Sequence, residues 1–401
     1  MLKRWWISVG SFTLVCLTAP ILGCSGGGAV ESDASQSTAT VDLRSDASKK
    51  KGPKLTPQQS NTTNGLIGIS PVDKKVVWAS GRNGTFLRTT DGGKHWTAGT
   101  VAGAEALQFR DVQGVSDKVA YLLSIGVGSD SRIYKTTNGG NSWTLQFQGT
   151  DPAFYDCFAF WSPTQGITMA DSIDGRFPVI RTLDGKTWQD IGDRLPTALP
   201  GEAGFAASGT CAATQGKRKA WLATGGTNTV ARILRTVDRG QTWAASEVPL
   251  TVGDQFAGGA ISVAFRDGRH GFAAGGDLAA ADVGDNFARS GDGGKTWTKA
   301  TSAPIKGAIF GAAYAIDREE GWGDDNWDWD WDWGHHDDGK VTVVATSPGL
   351  GTVPGGVAWS PDEGDTWNLI DGVTGFWAVA FADEKNGWMV GVNGTITKIE
   401  F

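Results

Sequence analysis

The sequence predicts an all-β fold, a seven-bladed propeller, on three observations. A short motif recurs six times. Its spacing is that of a four-stranded blade. A seventh unit of strands follows without the motif. The motif reads Ser/Thr-x-Asp-x-Gly-x-x-Trp and occupies 89–96, 136–143, 182–188, 236–243, 290–297 and 360–367, the third copy being one residue shorter. Its aspartate place holds Asp91, Asn138, Asp184, Asp238, Asp292 and Asp362, with steps of 47, 46, 54, 54 and 70 residues. A period of about 40–50 residues carrying four short strands marks a propeller blade.

One copy explains itself physically. A strand leads in, as in Phe86-Leu87-Arg88-Thr89. The aspartate accepts hydrogen bonds from backbone N–H groups of its own turn, and glycine supplies the positive-φ positions. The tryptophan (Trp96, Trp143, Trp188, Trp243, Trp297, Trp367) opens the returning strand and is large enough to pack on a neighbouring sheet. Each copy is therefore a hairpin with a locked turn. It resembles the Asp-box (BNR) repeat of sialidase-like propellers, a resemblance that implies fold rather than activity.

In chain order the blades span about 66–100, 106–147, 154–191, 205–248, 260–299 and 308–370. The seventh has three strands over 376–399, with no motif and no fourth strand. An open edge is a liability, so residues 55–60 are expected to supply the missing strand and close the ring. The inner-strand phrase Phe376-Trp377-Ala378-Val379-Ala380-Phe381 and the following Asn386-Gly387-Trp388-Met389-Val390-Gly391-Val392-Asn393-Gly394-Thr395-Ile396 are similar to a phrase of the photosystem II stability/assembly factor family and its non-photosynthetic relatives. Over residues 55–401 the resemblance implies a seven-bladed scaffold that binds partner proteins during assembly of membrane complexes. It does not imply a photosynthetic host.

The first residues read as an export signal. Lys3 and Arg4 give the positive region, and 5–17 is an apolar core too short for a stable span. Ile21-Leu22-Gly23-Cys24 resembles the bacterial lipoprotein box, with Leu22 bulkier than usual, and Cys24 is the expected lipidation site. The domains expected are a leader over 1–24, a disordered tether over 25–54 and the propeller over 55–401. Ser25 after the cysteine is compatible with outer-membrane sorting in a host that has one. Lys49-Lys50-Lys51 reads as solvated linker rather than headgroup contact. The formal charge is −7, and −9 once Lys3 and Arg4 leave with the leader, which offers no footprint for nucleic acid. A monomer is expected. Cys157 and Cys211 fall near inner strands of adjacent blades. Matching positions there seldom meet disulfide geometry, so two buried free thiols are expected.

Enzyme motifs are sparse. A sialidase needs an arginine cluster and a Tyr/Glu pair. The chain has four tyrosines, and its nearest phrase, Arg176-Phe177-Pro178, lies in the third blade. Xyloglucanase-type hydrolysis needs paired carboxylates across a long cleft, usually between two propellers. No Gly-x-Gly-x-x-Gly in a βαβ setting suggests a nicotinamide cofactor, and no cofactor is expected.

If there is a site, topology places it opposite the motif turns, on the loops between second and third strands, since loops on a rigid scaffold carry binding. The candidates are Asp130, Arg132, Asp171, Asp174, Arg176, Arg232, Asp277, Asp285 and Asn286, with Asp282 beside them. Arg110, Asp111 and Asp156 are placed at the channel mouth. A Trp/Asp-rich insertion over 323–339 interrupts blade six on the motif side. Alternation would put its tryptophans on one side, as a surface insertion or a contact for a partner or glycan. Asp330, Asp332, His335 and His336 are weak metal candidates without a recognised spacing. The reading is a lipid-anchored envelope scaffold for a protein partner, with a carbohydrate-active propeller, binding or cleaving glycans, as the alternative.

Overall fold

The computed structural model describes residues 52–253, 257–316 and 341–401. Cys24, the tether and the Trp/Asp insertion with Asp330, Asp332, His335 and His336 therefore lie outside the described residues. Residues Lys50–Phe401 form one compact unit. Among the described residues regular structure is β apart from three single-turn 3-10 helices, and every strand pair in the sheets is antiparallel.

The strands fall into four-stranded runs. Unit one comprises Leu66–Pro71, Val77–Gly81, Thr85–Thr89 and Thr97–Thr100. Unit two comprises Gln108–Gly114, Ala120–Ile125, Arg132–Thr136 and Thr144–Gln148. Unit three comprises Tyr155–Ser162, Gln165–Ala170, Val179–Thr182 and Gln189–Asp190. Unit four comprises Ala212–Gln215, Lys219–Gly226, Arg232–Thr236 and Ala244–Glu247. Unit five comprises Gly258–Phe265, Gly271–Asp277, Phe287–Ser290 and Thr298–Lys299. Unit six comprises Gly311–Ala315, Thr342–Ser347, Gly356–Ser360 and Asn368–Leu369. Units four and five are joined into one sheet where Gly225 and Gly226 pair with Gly259 and Gly258. Unit seven has Phe376–Phe381, Asn386–Gly391 and Ile396–Glu400, and its fourth strand is Lys54–Gln58, paired Leu55 to Ile399 and Pro57 to Thr397.

Burial explains the composition. Second strands such as Val77–Gly81 are buried throughout, being covered on both faces by neighbouring units, and read as near-continuous apolar runs. Fourth strands such as Gln189–Asp190 are exposed, short and polar, which blunts the outer edge. The first strands touch in cyclic order. Unit one meets two, two meets three, and so on through seven, which returns to one.

Two expectations are corrected. Cys157 and Cys211 are joined in a disulfide, with Cα atoms 6.0 Å apart. Cys157 lies in the first strand of unit three and Cys211 just before that of unit four, and these strands are neighbours around the ring, so the two backbones approach within bridging range. The second correction concerns unit four, whose first strand begins at Ala212 rather than near Phe205, because the preceding residues are diverted elsewhere.

Candidate functional site

The recurring turns are built to a common pattern. In unit five, Ser290 Oγ donates to Asp292 Oδ1 at 2.9 Å and accepts from Gly294 N at 2.8 Å. Asp292 Oδ1 also accepts from Thr296 N at 3.0 Å, and Thr296 Oγ1 donates to Oδ2 at 2.7 Å. Thr187, Thr242 and Thr366 repeat this second bond to Asp184, Asp238 and Asp362. His95 makes it to Asp91 at 2.6 Å, and Ser142 accepts from Asn138 at 2.8 Å. The residue before each tryptophan, variable in the motif, is thus part of the lock. These carboxylates are spent on their own turns. Asp91 is lowered to about 2, first by the backbone N–H of His95 and then by its ring. Trp143 of unit two packs edge-on against Phe86 of unit one at 5.1 Å, and Trp367 of unit six against Phe287 of unit five at the same distance. The motif residues are joints between units.

The first strands share a second feature. A one-residue bulge follows Leu66, Phe109, Tyr155, Ala260 and Phe376, so Ile67, Arg110, Asp156, Ile261 and Trp377 occupy the same level of the ring. Bulges re-aim a side chain and are common beside functional sites. Unit four has at this level a much longer excursion. Glu202–Ala203 pairs with Gly226 and Gly225, and the chain rejoins that sheet only at Ala212.

The intervening residues, 204–210, run between the first strands of several units. Gly204 N donates to Asp171 of unit three at 3.2 Å. The carbonyl of Ala206 accepts from Arg110 Nη1 of unit two at 2.9 Å. Ala207 packs with Ile261, Ala308 and Phe310, and Phe205 and Trp377 lie against the same cluster. Ser208 Oγ donates to the Phe310 carbonyl at 2.6 Å, and Thr210 accepts from Val263 N at 2.9 Å. Glycine is required at two points. A Cβ on Gly204 would collide with Asp156, and one on Gly209, whose φ is +78°, with Asp111. This strap packs against the first strands of units two, three and five and beside that of unit six.

Against it lie buried ionisable side chains. Asp111 accepts from Val112 N at 2.7 Å and Phe158 N at 2.8 Å, and burial pushes its carboxyl well up. Asp156 is pushed well up by burial first and the charge of Asp171 second, and its Oδ2 has no partner. Arg110 lies over the Trp377 ring at 4.8 Å, and burial, helped by Arg82, brings it down to about 10. Arg110 and Asp111 form no ion pair with each other: Arg110 is turned to the Ala206 carbonyl and the Trp377 ring, and Asp111 to the N–H groups of Val112 and Phe158.

The loop candidates separate into two kinds. Arg232 is interior: its Nε and Nη2 bind Glu202, with Nε at 2.8 Å, and Nη2 also reaches the Thr197 carbonyl at 3.0 Å. Asn286 is fully buried and exchanges two 2.9 Å bonds with Ala303. Arg176 is tied to Asp190 at 2.7 Å and Asp193 at 2.5 Å, which raise its pKa. Arg132 Nε donates to the Ser129 carbonyl at 2.6 Å, Asp277 caps Ala279 N at 2.9 Å, and Asp285 pairs with Lys299 at 2.6 Å. Asp171 is held to the strap, as described. Asp130, Asp174 and Asp282 are exposed and stand on the second-to-third-strand loops of units two, three and five. The sequence missed Glu202, Gly204 and Ala206. Its only signal there was the long 191–211 connection.

No family model matches the sequence, and neither does any curated protein. Solved structures do resemble it. "YCF48 bound to D1 peptide" is 14% identical, covers 88% of this chain and 96% of its own, and superposes with a TM-score of 0.56. The GH74 xyloglucanase from Xanthomonas campestris is 14% identical over 86% of this chain and 53% of its own, at 0.53. The WD40 β-propeller domain of Doa1 is 10% identical over 87% and 97%, at 0.52. At these identities the likeness shows the fold, a β-propeller.

Proposed function

We propose that this chain is a seven-bladed propeller, joined by Asp-box turns and closed by its N-terminal strand, that acts as a protein-binding scaffold or assembly factor in the bacterial envelope. The observation carrying this reading is the strap over 204–210. It lies against Asp156 and Asp171 and packs on Ile261 and Phe310, an arrangement that favours a covered centre over the open groove glycoside cleavage uses. What the strap leaves outward is a broad face carrying the exposed Asp130, Asp174 and Asp282. A protein partner with a basic surface suits such a face. The structure of YCF48 with a D1 peptide supports a peptide or protein ligand by analogy. The phrase at 376–396 supports the photosystem II assembly-factor relatives as the family. The chain acts as a monomer, exported by its leader and held by lipid on Cys24, in the outer membrane where the host has one.

Affinity capture from native envelope tests the scaffold. The comparison is between the parent and Asp130→Lys/Asp174→Lys/Asp282→Lys, whose changes lie on exposed loops. A membrane-complex subunit retained by the parent and lost by the variant is the expected result. Absence of any specific protein from both samples refutes it. A glycan array and a polysaccharide-hydrolysis screen would then decide whether the carbohydrate-active reading takes its place.

A further inference from the structure

The seam between the N-terminal strand and unit one carries an unexplained concentration of positive charge. A cleft of about 620 Å³ opens there, lined by Lys54, Lys74, Lys75, Lys94 and Lys398. Its floor is organised by Gln58, which donates to the Gly92 carbonyl at 3.2 Å and accepts from Trp96 Nε1 at 2.9 Å. The two carboxylates in the lining are occupied. Glu400 lies between Lys398 at 3.0 Å and Lys54 at 3.6 Å, and Asp91 is spent on His95 and Thr89. Lys74, Lys75 and Lys94 are exposed, and none has an ion pair among the described residues.

We infer that this seam is a docking surface for an anionic lipid bilayer. Three features favour a bilayer over an acidic protein. Lysine is a hydrated point charge on a long stem, suited to a diffuse field of headgroups rather than to fixed bidentate pairing. The cleft adjoins Lys54–Gln58, the strand through which the chain arrives from its leader. A lipid on Cys24 would hold this edge close to the surface and raise its effective concentration there. The chain as a whole is at −7, so a negative surface repels the body and attracts the seam, which orients the domain.

The inference rests on the anchored reading above, but its test does not. Unlipidated chain, residues 25–401, is sedimented with vesicles of phosphatidylglycerol and phosphatidylcholine, or of phosphatidylcholine alone, at low salt. Each surface lysine contributes about fivefold in affinity, so Lys74→Gln/Lys75→Gln/Lys94→Gln should weaken binding to the anionic vesicles roughly a hundredfold. Binding should also fade at 0.15 M salt. The matched variant Lys118→Gln/Lys186→Gln/Lys295→Gln, on exposed turns of units two, three and five, should bind like the parent. Equal binding by the first variant, equal binding to neutral vesicles, or capture of polyglutamate but not of anionic vesicles overturns the inference. Fractionation of Cys24→Ser in cells separately reports whether the anchor exists.

Discussion

Arg232→Ala should damage the fold itself, not a binding face. Arg232 is 8% and Glu202 1% exposed. Glu202 receives two bonds from Arg232, one from Thr224 Oγ1 at 2.5 Å and one from Leu199 N at 2.8 Å. Removing the guanidinium leaves a buried carboxylate with only two neutral donors and frees the Thr197 carbonyl. Breaking a buried pair from one side costs about 3–5 kcal/mol. With an unfolding entropy of about 2.1 cal/mol/K per residue over roughly 350 residues, that is about 4–7 °C in Tm. Arg132→Ala, at the half-exposed start of a strand, should cost no more than about 1 kcal/mol, or about 1 °C. Differential scanning fluorimetry of both variants beside the parent checks this. An Arg232→Ala protein melting within about a degree of the parent would refute the buried clamp. It would also restore Arg232 to the list of possible ligand contacts.

Three further outcomes follow from the geometry. The Cys157–Cys211 bridge spans 54 residues, so Cys157→Ser/Cys211→Ser should lose about 4 kcal/mol in denaturant unfolding, and a free-thiol assay of the parent should find neither thiol. Asp91 has a folded pKa of about 2, below its unfolded value. Its stabilisation is present above the ordinary carboxylate range and is lost as pH falls through about 2. A carbon-detected NMR titration should place its midpoint there, and a midpoint near 3.8 would contradict the turn geometry. Asp156 is shifted the other way, so the native state retains its proton and stability falls as pH rises above the unfolded value. Asp156→Asn should flatten that decline in a series of unfolding curves, and an unchanged slope would remove Asp156 as its source.

Much of the architecture was legible because its signals are local. Thr236, Asp238 and Gly240 bond one another within a single turn, so their spacing survives in the sequence. The closing strand was legible from a different constraint, the missing fourth strand beyond Ile399. The bulges at Arg110 and Asp156 were not, since a slip of one residue changes register without changing composition. The strap was hidden for a related reason. Gly204-Phe205-Ala206-Ala207 is as apolar as an inner strand, and only its contacts with Arg110, Ile261 and Phe310 reveal where it goes. Arg232 read as a surface loop arginine because Glu202, which neutralises it, stands thirty residues earlier. The pairing of Cys157 with Cys211 likewise depends on two first strands meeting in space.

The central claim is that binding takes place on the face of the second-to-third-strand loops while the channel stays closed. Photo-crosslinking in intact cells tests it most directly, with a photoreactive residue replacing Asp174 on that face or Lys186 on the turn face. The account predicts a discrete protein adduct from position 174 and none of comparable yield from position 186. Adducts from 186 alone, or from neither position, would contradict it.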